Sequence, residues 1–64
     1  MNYYAIESNN IENGLYIYLA YSDELTYDPS KAYNFDTEKE ALDLMEENNI
    51  SKTDFHVQKM YKGE

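Results

Sequence analysis

Acidic side chains recur along one segment of this 64-residue chain at the spacing of a helix face. The stripe consists of Asp36, Glu40, Asp43 and Glu47. Its members are four, three and four positions apart, so a helix would align them along one side at about 5.4 Å per turn. Such a row of negative charge resembles a phosphate backbone and would fit a basic cleft that binds nucleic acid. The alternative is an ordinary solvated helix face.

The two ends of this predicted helix differ in how well its charge suits the helix dipole. Glutamates in the first turn favour the dipole, whereas Glu46 and Glu47 near the C-terminus oppose it. Lys39 is the only basic residue that offsets the acidic residues of the segment. This local conflict favours a functional surface over one that serves solubility alone.

Tyrosine supplies a second candidate surface, since eight of the 64 residues are tyrosine. Tyr16 and Tyr18 alternate with apolar residues, a period of two that predicts a strand with two unlike faces. If a helix covers the apolar face, both tyrosines lie on the other one, where neighbouring strands would add Tyr3, Met60 and His56. Tyrosine is enriched in protein interfaces, so this face is a candidate binding platform. The alternative is a set of cross-strand tyrosine pairs that only stabilise a thin sheet.

Catalytic and metal-binding patterns are missing from the sequence. His56 is the only histidine, and no recognisable catalytic motif surrounds it. Asp23, Glu24 and Asp28 could approach a cation, but they lack the spacing and the glycine of a calcium loop. The absence of cysteine rules out a thiolate site, and two glycines cannot form a glycine-rich phosphate loop. We therefore expect no enzyme activity, no metal and no cofactor.

The elements that would position both surfaces follow from local patterns. Strands are predicted at residues 2–8, 15–21 and 54–61, with a short candidate strand at 31–35 and a turn at Asn13-Gly14. Thr37 and Glu40 form a capping box that begins a helix, and Asn48-Asn49 would end it. The predicted core contains Ile6, Leu15, Ile17, Leu19, Phe35, Ala41, Leu42, Met45, Phe55 and Val57.

This order of elements predicts one α+β domain over residues 1–64. Its sheet would be a small antiparallel one of three or four strands, with the helix packed on one face. The pairing of the first and last strands stays open between parallel and antiparallel. Without disulfides, so short a chain has a small core and marginal stability.

The net charge of −8 limits the kinds of partner. Thirteen acidic residues and five lysines, without arginine, would repel nucleic acid and anionic membranes but attract a protein with a basic surface. The N-terminus lacks the pattern of a signal peptide, and no apolar run is long enough to span a membrane. We therefore expect a cytoplasmic protein.

In size, acidity and composition the chain resembles the small proteins of phages and mobile elements, and among them the anti-CRISPR proteins and other DNA-mimic inhibitors. The resemblance rests on the general character of the chain and its acidic helix, not on a motif. It implies stoichiometric inhibition of a host nucleic-acid-binding protein through that protein's basic groove. The acidic stripe would then act with Asp23, Glu24 and Asp28, and Tyr16 and Tyr18 would be anchors. The alternative is a regulatory or structural module that dimerises through its tyrosine face.

Overall fold

In the part of the chain that the structure describes, an antiparallel sheet of four strands and one α-helix make up the fold, as the sequence predicted. A computed structural model describes residues 1–21 and 24–61. The strands run in the spatial order β3-β2-β1-β4. The elements are β1 (Asn2–Ser8), β2 (Tyr18–Leu19), β3 (Leu25–Thr26), a 3-10 helix (Pro29–Lys31), α1 (Glu38–Glu47) and β4 (Phe55–Tyr61).

The first and last strands form the long central pairing of the sheet. They are antiparallel over seven residue pairs, which settles the orientation that the sequence left open. Ile6 lies opposite Val57 on the face that α1 covers. On the other face, Glu7 lies opposite both His56 of β4 and Tyr18 of β2.

The second strand is shorter than the predicted 15–21 segment. Asn13 and Gly14 adopt positive φ angles of 54° and 75°, as expected for the turn. This tight turn pairs Glu12 with Leu15, so the chain rejoins β1 only at Ile17, whose carbonyl accepts from the Ser8 amide at 2.7 Å. The prediction of Leu15 as a core residue is therefore wrong, because the turn leaves its side chain 53% exposed.

The predicted short strand at 31–35 exists only as two isolated bridges. Ala32 pairs with Ala20, and Phe35 exchanges two hydrogen bonds of 2.9 Å with Tyr4. The 3-10 helix precedes this segment and ends at Lys31. The segment thus continues the β2 side of the sheet past the end of β2 without forming a regular strand.

The helix begins and ends where its caps predict. The Thr37 hydroxyl accepts from the Glu40 amide at 3.2 Å, and the Glu40 carboxylate accepts from the Thr37 amide at 3.2 Å. Asn48 is the C-cap, and Asn49 has the left-handed φ of 55° that ends many helices.

Two hydrophobic clusters lie on opposite faces of the sheet. The cluster under α1 contains Ile6, Leu19, Ala41 and Met45, with Phe35, Phe55 and Val57 partly buried against it. Ile17 is buried as predicted, but Leu42 is 37% exposed and does not belong to the core. The second cluster contains Ala5, Tyr18 and Ala32, with Met60 packed against it.

Candidate functional site

The outer face of α1 holds half of the net charge of the protein. Its ten residues include five acidic residues and one lysine, hence a net charge of −4, against −8 for the whole chain. Because Ala41 and Met45 are buried against the sheet, the acidic residues lie on the sides and outer face of the helix. Three of them, Asp43, Glu46 and Glu47, line one shallow depression in the surface.

The four carboxylates of the predicted stripe are all exposed, but they differ in their partners. Glu40 accepts hydrogen bonds from Thr37 in the capping box, so its charge is partly engaged within the protein. Asp43 forms an ion pair of 2.9 Å with Lys39, one turn away, which raises the pKa of the lysine. The last helical turn contains no basic residue, so Glu46 and Glu47 have no cation on their own turn.

Asp36 and the Asp28 segment approach each other at the N-terminal end of the helix. Asp36 shares a cavity with Pro29 and Ser30. Asp28 caps the 3-10 helix, where its carboxylate accepts from the Ser30 amide at 2.9 Å and the Ser30 hydroxyl at 2.8 Å. These hydrogen bonds lower the pKa of Asp28. The carboxylate is therefore ionised and exposed, but it also has a structural role.

The remaining loop acids are not grouped with the helix. Glu24 is exposed and leads into β3 at the edge of the sheet, two strands from β1, whereas α1 packs on β1 and β4. The predicted single surface of helix and loop therefore does not include Glu24. Asp23 lies outside the described residues.

The tyrosine face is assembled as predicted but is not an open platform. Tyr16 and Tyr18 line a cavity with Glu7, Gln58 and Met60 on the face opposite α1. Tyr18 is only 7% exposed, since it packs in the cluster that Ala32 closes, and it cannot serve as an accessible anchor. Tyr16, at 53% exposed, is the accessible member of the predicted pair.

A carboxylate buried in this face was missed by sequence reasoning. Glu7 is the one charged residue among the buried residues that the structure describes, and His56 Nε2 lies 2.9 Å from its Oε1 atom. The other ring nitrogen, Nδ1, contacts Asn9 Oδ1. The Asn9 amide donates to the carbonyls of Lys52 and Thr53 at 3.2 and 2.8 Å, which fixes its oxygen towards the ring.

The bonding of His56 indicates a structural role. Both ring nitrogens lie against oxygens of the protein itself, Glu7 Oε1 and Asn9 Oδ1. Neither nitrogen is then free to take a proton from a substrate. The cluster instead joins the loop at Asn9 and Lys52 to the centre of the sheet. Glu7 lies on the same face of β1 as Tyr3, which alternation along the strand predicts. Its pairing with His56 could be found only from the antiparallel register.

Tyr18 is coupled to the same carboxylate. Burial raises the pKa of its hydroxyl, and the negative charge of Glu7 raises it further. Tyr18 is thus a neutral, buried neighbour of Glu7 and belongs to the packing of the sheet.

Within residues 1–21 and 24–61, no group of three or more potential metal-ligating side chains is present, and no helix is long and apolar enough to cross a membrane. A scan against protein-family models, a search of curated proteins and a search of solved structures each found no match to this chain.

Proposed function

We propose that this chain is a stoichiometric binding protein whose acidic α1 face occupies a basic, nucleic-acid-binding surface of a partner protein. The observation that carries the proposal is the exposed pair Glu46 and Glu47 in a last helical turn without any basic residue. The two side chains lie with Asp43 around one depression.

The energetics of that turn support a binding role. The C-terminus of a helix carries a partial negative charge, so each acid placed there is unfavourable by about 0.3–1 kcal/mol at an exposed site. A small domain has little stability to spare. Local rules are most often broken at functional sites, where a partner supplies the missing interaction. Lysine or arginine side chains of a partner would supply it here.

The spacing of the charges supports a nucleic-acid-binding partner. Asp43 and Glu47 are one turn apart, and Asp36 continues the row beyond the cap towards Pro29 and Ser30. A groove that binds phosphates presents a row of basic side chains, which a row of carboxylates can pair with in place of the phosphates. Affinity would therefore fall steeply as salt rises. Inhibitors of host nucleic-acid-binding proteins, the anti-CRISPR proteins among them, are the functional class that this mechanism fits.

The tyrosine-face dimer has weaker support as a function. One of its two anchors, Tyr18, is buried. The carboxylate of Glu7, opposite Tyr18 in the sheet, is already paired with His56. Tyr16 alone is a small contact, so we do not carry that alternative further.

The test is capture of a partner from host lysate, followed by displacement of labelled nucleic acid from that partner. E46Q/E47Q removes two charges from the face and is compared with E12Q/D54N, which removes two charges elsewhere. E12Q keeps an oxygen that can accept from the Tyr27 hydroxyl, as Glu12 does at 2.9 Å. The proposal predicts displacement at a 1:1 ratio by the wild type and E12Q/D54N, with at least about tenfold weaker binding by E46Q/E47Q.

Equal loss in the two double variants would mean that only net charge matters, and the acidic face would not be the site. Binding of a partner without displacement of its nucleic acid would contradict the mimic mechanism.

A further inference from the structure

The two edges of the sheet differ in length. At one edge β3 has two residues, whereas at the other β4 has seven. Short edge strands, prolines and bulges are the usual protections against edge-to-edge pairing. β4 contains no proline, and its pairing with β1 runs through consecutive residues without a bulge. Lys59 is its one lysine, and its one histidine, His56, is bonded to Glu7.

The hydrogen-bonding pattern shows which backbone groups of β4 point outward. Tyr4 exchanges both of its bonds with Phe35, so its amide and carbonyl point away from β4. Backbone direction alternates along a strand, and Lys59, the residue opposite Tyr4, therefore points away from β1. The backbone amides and carbonyls of Val57 and Tyr61, two positions on either side of Lys59, point away from β1 in the same way.

Few groups within the described part of the chain reach this edge. The Phe55 amide donates to the Ser51 carbonyl at 3.0 Å, which covers the first residue of β4. The Gln58 side chain donates to the Lys59 carbonyl at 3.2 Å, which leaves that oxygen its second lone pair. The outer amides of Val57, Lys59 and Tyr61 receive no such partner from residues 1–21 and 24–61.

A cleft with a partly apolar lining lies beside the same edge. It has a volume of about 180 Å³, and Leu42, Phe55 and Val57 line it together with Met45 and the polar residues Glu38, Lys52 and His56. Tyr61, at the end of the strand, is 72% exposed. The edge thus combines unpaired backbone groups with apolar side chains, as an interface strand does.

From these features we infer that β4 pairs antiparallel with β4 of a second copy of this chain, about a two-fold axis at Gln58. Val57 of each copy then lies opposite Lys59 of the other, and the two residues exchange the paired hydrogen bonds of an antiparallel ladder. Phe55 lies opposite Tyr61 of the second copy. Moving the two-fold axis from Gln58 to Lys59 would place the two Lys59 side chains opposite each other, which is unfavourable.

Charge decides for a second copy and against a basic partner at this edge. β4 has no acidic residue, so it offers a basic strand no attraction, whereas the α1 face does. β4 is also a seven-residue strand without an acidic side chain, so two chains of net charge −8 can pair along it without a carboxylate in either strand. The remaining repulsion gives self-association a distinctive salt dependence, because added salt screens it and strengthens the dimer. Binding of a basic partner has the opposite dependence, so the two proposals can fail separately.

Sedimentation of the full chain at low and high salt tests the inference. We expect a dimer that strengthens with salt. K59P removes one outer amide, while the hydrogen bonds from β4 to β1 remain, and it should weaken the dimer at least about tenfold. K59A keeps the amide and removes the charge, so it should dimerise at least as well as the wild type.

A second pair of variants tests the register and does not depend on K59P folding. Q58K and Q58E should each weaken the dimer, since like charges meet at the two-fold axis, and an equimolar mixture should restore it. A chain that is monomeric at both salt concentrations overturns the inference. So does a dimer that responds equally to K59P and K59A, or a Q58K and Q58E mixture that shows no recovery.

Discussion

Carboxylates occupy two contrasting environments in this small protein. Glu7 is buried in the sheet and is held by His56, 2.9 Å from its oxygen. Glu46 and Glu47 are exposed at the C-terminal end of α1, where the helix dipole makes negative charge unfavourable, and their turn contains no basic residue. The comparison teaches that net charge alone does not identify a binding surface. Glu46 has a minor electrostatic attraction to Lys39, but within the described residues neither Glu46 nor Glu47 forms an ion pair, so both charges remain available to an external partner.

The largest expected effect on the free energy of unfolding is that of replacing Tyr18, compared with replacing Tyr16. Tyr18→Ser should lower the free energy of unfolding by about 3 kcal/mol, since it empties a buried aromatic site in the cluster of Ala5 and Ala32. Tyr16→Ser, at an exposed site, should change it by about 0.5 kcal/mol or less. Urea unfolding followed by circular dichroism measures both. Similar values for the two variants would contradict the assignment of Tyr18 to the packing of the sheet.

The next effect concerns the buried carboxylate. His56→Phe leaves Glu7 without its partner, and we expect a loss of about 2 kcal/mol, less than for a fully buried pair because the histidine side chain is 40% exposed. Glu7→Gln in the His56→Phe background should recover part of the loss, since an unpaired amide is cheaper to bury than a charge. If the double variant is as unstable as the sum of the single ones, Glu7 and His56 do not act as a pair.

The exposed helical acids should respond in the opposite direction. E46Q/E47Q should raise the unfolding free energy by about 0.6–2 kcal/mol, because it relieves the unfavourable interaction of both acids with the helix dipole. E38Q, in the first turn, should lower it by a few tenths, about 0.3 kcal/mol, for the same reason. Thermal unfolding measures both variants, and the melting temperature of E46Q/E47Q should rise by about 4–8 °C for each kcal/mol gained. A loss of stability in E46Q/E47Q would show that these acids have internal partners.

The smallest expected effect is a change in how the stability of the protein falls at alkaline pH. The pKa of Tyr18 is raised above its ordinary value of 10.0 by burial and by Glu7. The unfolded chain therefore loses this proton first, so the contribution to stability is complete below pH 10.0 and declines as the pH rises through the folded-state pKa. Tyr18→Phe cannot ionise there, and its stability should fall less above pH 10.0 than that of the wild type. Parallel pH profiles would contradict the coupling.

Local signals made part of this fold predictable. β1 and α1 have the predicted bounds, and β4 begins one residue later than predicted. These elements were predictable because strand composition and the capping box are signals carried by neighbouring residues. The ion pair of Lys39 and Asp43 also follows from their spacing. The extent of β2 did not follow, because the turn at Asn13 competes with the strand pattern.

The buried parts of the candidate surfaces required tertiary information. Glu7 meets His56 across 49 positions of the chain, and only the antiparallel register brings them together. The burial of Tyr18 depends on Ala32, which pairs with Ala20 just beyond the end of β2 and is followed by Tyr33, whose amide donates to the Leu19 carbonyl. Sequence pattern placed Tyr18 on the correct face but contained no signal for what covers that face.

The most direct test of the central claim measures binding and stability of E46Q/E47Q together, with the captured partner at low and high salt. We predict weaker binding, a smaller salt dependence and a higher melting temperature than for the wild type. Unchanged affinity and salt dependence would contradict it, because the partner would then bind elsewhere and the two glutamates would have no role in recognition.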